Sequence, residues 1–127
     1  MIEIEKKNLV ENYVRAYNAF DIEGMLKDLH DEIVFKNITN GEVTLELKGI
    51  EAFRNQAEQV IGFFAEREQK ITNFVFNKDG CEIEIDYRAT LAAGLPNGLK
   101  TGDKIELKGK SIFHFADSKI SQIQDIS

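Results

Sequence analysis

Apolar residues in the first part of the chain recur at helical spacing. Leu9, Val10, Tyr13, Val14, Tyr17 and Phe20 fall on one side, with Glu11, Asn12, Arg15 and Asn18 opposite, which predicts an amphipathic helix. Asp21 is placed to cap a second, short helix whose Ile22, Met25, Leu26 and Leu29 share one face. The period then changes. Residues 32–38 and 43–48 flank Asn40-Gly41, a dipeptide suited to a tight hairpin turn because both central positions tolerate positive φ. Helical spacing returns over residues 49–66 with Ile50, Phe53, Ala57, Val60, Ile61 and Phe64.

Strands follow to the end of the chain. "KITNFVFNKDG" precedes "CEIEIDYRATL", in which Cys81, Ile83, Ile85, Tyr87, Ala89 and Leu91 alternate with polar residues, so one face is buried and one is wet. A long connection, "AAGLPNGLKTGD", leads to "KIELKGKSIFHF", where Ile105, Leu107, Phe113 and Phe115 share a face with Gly109 and Ser111. In the last strand, "KISQIQDIS", alternation groups Ser121, Ile123, Asp125 and Ser127 against Ile120, Gln122, Gln124 and Ile126. Isoleucine occurs on both faces, so alternation alone leaves the direction of Asp125 open.

The order is helix, helix, strand, strand, helix and four strands. This predicts an α+β fold: a curved, mostly antiparallel six-stranded sheet with three helices on its concave face. A bent sheet and straight helices diverge at one end, leaving a cone-shaped cavity where a ligand can bind.

Composition narrows the functions. A chain of 127 residues suits one domain spanning residues 1–127, with a core large enough to surround a cavity. The net charge of −6, with signs interspersed and no long basic run, argues against nucleic acid as a partner. No apolar run approaches the roughly 20 residues of a membrane span, and the start "MIEIEKKN" lacks the apolar stretch of a signal peptide, so a cytoplasmic protein is expected. Cys81 is the only cysteine, and His30 and His114 are the only histidines; neither a metal site nor another cofactor is implied.

The helical corner "NYVRAYNAFDIEGMLKDLHDEIVFKN", the segment "LKGIEAFRNQ" and above all "TGDKIELKGKSIFHFADSKISQIQD" resemble the nuclear transport factor two-like superfamily, nearest its SnoaL-like branch. The resemblance covers nearly the whole chain. It implies the cone-shaped fold but no single reaction, since the superfamily includes polyketide cyclases, ketosteroid isomerases, dehydratases, epoxide hydrolases and members without evident catalysis.

Residue by residue, the resemblance is selective. Tyr13 matches the tyrosine that donates to a developing oxyanion in ketosteroid isomerases; as a plain core aromatic it would pack beside Val10, Val14 and Tyr17. That family's catalytic base falls at Asn37, which cannot take a proton from carbon, and its protonated carboxyl falls at Ser111. Asp125 does match. In SnoaL-like cyclases an aspartate at this spacing after the "KI" start faces the cavity and acts as general acid and base, so the resemblance turns Asp125 inward.

Two functions remain. One is a module that binds a small, largely apolar ligand in the cavity, lined by Asn37, Ser111, Phe35, Phe53, Ala57, Phe64, Tyr87, Ala89, Phe113 and Ile123. The other is a cofactor-independent lyase or isomerase with Asp125 as acid and base and Tyr13, Asn37 or Ser111 polarising a carbonyl. His30 is expected at a helix end and His114 on the outer sheet face. Ile112, Phe74 and Phe76 are expected on that outer face too, which would favour a homodimer through the sheet.

Overall fold

A computed structural model describes all 127 residues. Helix α1 spans Glu3–Asn18 and α2 spans Ile22–Lys27, with the Asp21 carboxylate accepting from the Gly24 N–H at 2.9 Å as a cap should. Strands β1 (Leu29–Thr39) and β2 (Glu42–Lys48) form the hairpin, and both turn residues, Asn40 at φ 52° and Gly41 at φ 81°, take the left-handed backbone. Helix α3 (Ile50–Val60) and a single 3₁₀ turn (Ile61–Phe63) precede β3 (Phe64–Phe76), β4 (Gly80–Leu91), β5 (Lys104–Ala116) and β6 (Lys119–Ile126).

The six strands lie in the order β2-β1-β6-β5-β4-β3, with β1 and β6 parallel and every other pair antiparallel. The sheet is curved and unclosed, as the α+β expectation requires. The core lies between its inner face and the helices. Val10, Tyr13 and Val14 of α1, Met25 and Leu26 of α2 and Phe53 of α3 pack on Ile33, Ile83, Phe113, Ile120 and Ile123 from the strands.

Three local departures from simple alternation decide what faces inward. The third helix is expected to run through Glu66, but it ends at Val60 and Phe64 opens a 13-residue strand. The segment "FAEREQ" has good helix formers, yet Arg67 pairs with Ala89 and Gln69 with Tyr87, so pairing with the long β4 overrides local propensity. A bulge at Thr72 then shifts the β3 register, since Ile71 faces Ile85 while Asn73 faces Glu84. Phe74 and Phe76 are thereby turned onto the core, stacked 5.8 Å apart, which corrects their expected place on the outer face. Apolar outer-face residues near them reduce to Ile112 and the exposed Val75, opposite Glu82. A second bulge, at Ser121, separates the pairs Phe115–Ile120 and His114–Gln122. It lets Ile120 and Ile123 both point inward, and Asp125 with them. No helix is long and apolar enough to cross a membrane.

Candidate functional site

Asp125 sits in a row across the inner sheet face. Its neighbour on parallel β1 is Asn37, and its neighbour on antiparallel β5 is Ser111, followed by Ile83 on β4. Ser111 is fully buried, and its hydroxyl donates to Asp125 Oδ1 at 2.6 Å. That short, charge-assisted bond is the carboxyl's only hydrogen bond within the protein. Asp125 is half-buried, and its carboxyl is enclosed by protein. Loss of water raises its pKa to about 6, with the Ser111 bond pulling the other way. A carboxyl in that range exchanges protons near neutral pH.

Beside it lies a cavity of about 180 Å³, bordered by Tyr17 of α1, Asn37 of β1, Gln69 of β3, Ile85 and Tyr87 of β4, Leu107 and Gly109 of β5, and Asp125. Its lining is mixed, with polar groups on several sides. It is small beside the roughly 300–1,000 Å³ typical of drug-sized ligand sites, so this shape suits a compact molecule. Tyr17 and Tyr87 join their hydroxyls at 3.0 Å across the space between helix and sheet.

Tyr13 lies in the core, its ring against Phe53 and Phe113 at 6.4 and 6.0 Å. Its hydroxyl makes no hydrogen bond within the protein. Burial raises the phenol's pKa above its ordinary value, and the nearby Asp125 charge raises it further, so it stays a neutral donor. Asn37 borders the cavity, and its Nδ2 donates to Thr44 Oγ1 at 2.9 Å, which leaves one of its two amide hydrogens uncommitted.

The structure therefore gathers Asp125, Asn37 and Tyr87 at the cavity, while Ser111 and Tyr13 are buried in the interior and do not border it. Ser111 is committed to Asp125, so it holds the carboxyl rather than a ligand carbonyl. Phe53, Phe113 and Ile123 belong to the packed core, with Phe35 half-buried against Phe53 at 5.7 Å. Ala57 and Ala89 are buried but do not border this cavity; Ala89 borders a separate hollow of about 310 Å³ among charged residues of β3 to β5. Phe64 stands at the start of β3, its ring centroid 5.8 Å from the Arg67 guanidinium. His30 Nδ1 accepts from the Glu32 N–H while Nε2 meets Asp117 at 3.0 Å, so the ring ties the start of β1 to the β5–β6 turn. Sequence reasoning missed Tyr17, Gln69, Ile85, Leu107 and Gly109 as cavity residues. Leu107 and Gly109 were signalled by alternation with Phe113, whereas Gln69 was hidden by the helix-like composition around it. No group of three or more His, Cys, Asp or Glu residues is arranged to hold a metal ion.

Comparison with known proteins agrees with this geometry. The SnoaL-like domain family matches residues 10–123. Among solved structures, TsrD from Streptomyces laurentii superposes with a TM-score of 0.81 at 18% identity, covering 98% of this chain and 89% of that one. A candidate SnoaL-like polyketide cyclase from Jannaschia sp. CCS1 gives 0.80 at 12% identity, covering 98% of this chain and 85% of that one. IdmH from Streptomyces antibioticus, a candidate polyketide cyclase, gives 0.77 at 14% identity, covering 95% and 90%. At such identities the structures speak for the fold alone. A search of curated proteins found no match. With the family matched over most of its length and the six-stranded cone in place, this chain belongs to the SnoaL-like domain family.

Proposed function

We propose that the cavity binds a compact, largely apolar molecule bearing a carbonyl group, and that Asp125 exchanges a proton with it as general base and acid, without a cofactor. The observation that supports this most is the Asp125 carboxyl itself. It borders the cavity, is enclosed by protein and is held through Oδ1 by Ser111, which leaves Oδ2 without a partner. As a carboxylate it can take a hydrogen from the carbon next to the carbonyl. The electron pair then moves to the carbonyl oxygen, where the Asn37 amide at the cavity wall can donate. Returned to another carbon, the same proton completes an isomerisation. Where the molecule carries a second carbonyl, the enolate carbon instead bonds to its carbon, the second C=O opens to an alkoxide, and the proton goes to that oxygen, closing a ring.

A purely binding role has one observation in its favour: no histidine and no other Asp or Glu side chain borders the cavity to relay the proton. Hydrogen exchange distinguishes the two. Small ketones that shift the resonances of cavity residues should lose their α-hydrogens to D₂O faster with the wild-type protein than without it. Asp125→Asn should keep ligand affinity within a few-fold and abolish that exchange. Ketones that bind the wild type without exchange would leave a binding module and end the acid–base reading.

A further inference from the structure

Arg67 is a buried cation with no anion beside it. It is 5% exposed, it forms no ion pair, and its Nη2 is enclosed without a hydrogen-bond partner. Its Nε donates to the Tyr17 carbonyl at 2.9 Å. Otherwise its charge meets aromatic faces: the guanidinium carbon lies 3.7 Å from the Tyr17 ring centroid and 4.6 Å from that of Phe20. Phe20 takes φ 57°, at the helix end where glycine is usual, and the Asp21 N–H closes the turn on the Ala16 carbonyl. A bulky residue is strained in this conformation, and here its ring covers the guanidinium.

A buried charge without a counter-ion is costly, and such a group is commonly paired. Arg67 does not itself border the cavity, so an anion bound there would lie in its field, across Tyr17, rather than touch it. Tyr17 touches both features, since its ring lies on Arg67 and its side chain borders the cavity. The Tyr17 and Tyr87 hydroxyls share one hydrogen bond, so one of the two O–H groups is still free to donate. Burial holds the phenols of Tyr13, Tyr17 and Tyr87 neutral, and the Asp125 charge adds to this at Tyr13 and Tyr87. The Arg67 charge pulls the other way at all three and is the one that would favour an anion at the Tyr17–Tyr87 pair. The other cation at the rim, Lys110, is already paired with Glu82 at 3.1 Å.

We infer that the cavity ligand is a compact carboxylate, whose anionic group lodges at the Tyr17–Tyr87 hydroxyl pair, within the field of the Arg67 guanidinium stacked on Tyr17. This rests on the proposed ligand cavity and specifies what that cavity selects. The remaining, less polar part of the ligand then extends along Ile85 and Leu107 toward Asp125.

Benzoate and benzamide, nearly equal in shape and different in charge, test it by NMR titration of the full chain. Wild type should bind benzoate at least roughly tenfold more tightly than benzamide, the scale of one hydrogen-bonded charge. Arg67→Met should keep the benzamide affinity and lose the preference, and Arg67→Lys should retain part of it. Equal binding of the two by wild type, or a preference that survives Arg67→Met, would overturn the carboxylate assignment while leaving the cavity reading in place. If neither compound shifts the resonances of cavity residues, both readings fail. Should the methionine variant not fold, the wild-type comparison still decides.

Discussion

Ser111 and Asp125 face each other across the β5–β6 pair and are joined by a 2.6 Å hydrogen bond from a fully buried hydroxyl to Oδ1. The bond favours the charged carboxylate against the burial that disfavours it. Ser111→Ala should therefore move the Asp125 midpoint above about 6. Removing the bond should also cost roughly 1–2 kcal/mol of stability at pH values where Asp125 is charged. A carboxyl titration followed by NMR reads the shift, and an unchanged or lower midpoint would contradict the assignment.

Asp125 should also make stability depend on pH. Its folded pKa, about 6, exceeds the model carboxyl's 3.8, so between these values the folded state holds a proton that the unfolded state has released. Stability then falls as pH rises through this window and levels off above it. The loss is at most about 3 kcal/mol. Asp125→Asn cannot ionise, so urea unfolding should show the variant gaining on wild type between about pH 4 and about pH 6 and holding that gain above. A constant difference across that range would mean that the carboxyl is not displaced upward.

Leu107 is 42% exposed and borders the cavity, so a ligand entering there would pass this side chain. Leu107→Trp adds bulk at the mouth without entering the packed core, so stability should change by only about 0.5 kcal/mol. Affinity for a cavity ligand should fall roughly tenfold or more, equivalent to about 1.4 kcal/mol. Calorimetry with benzamide checks this, and undiminished binding would place the ligand elsewhere. Ala57→Phe and Ala89→Phe are poorer tests, because both alanines are buried away from this cavity and overpacking would confound the result.

Gly80 begins β4 opposite His114, and a Cβ there would overlap the Phe113 carbonyl oxygen. Gly80→Ala should cost roughly 2–3 kcal/mol, because backbone rather than a flexible side chain must yield. A melting temperature equal to that of wild type would show that the strand pair opens more easily than its geometry implies.

The sequence by itself determined the element order, the Asn40-Gly41 hairpin, the Asp21 cap and the inward face of β4, from Cys81 to Leu91. These features depend on local turn chemistry and on periods of 2 or 3.6 residues, which neighbouring side chains display directly. The resemblance carried by "TGDKIELKGKSIFHFADSKISQIQD" turned Asp125 inward, where alternation alone was silent. Only the tertiary structure decided the rest. One extra residue at Ser121 allows Ile120, Ile123 and Asp125 to share a face, and another at Thr72 turns Phe74 and Phe76 onto the core. A bulge is set by pairing with a strand distant in sequence, so no local pattern announces it. Arg67 and Gln69 were obscured for the same reason. Their segment favours a helix, but the long β4 strand, whose backbone groups need partners, draws it into the sheet and carries both side chains to the inner face.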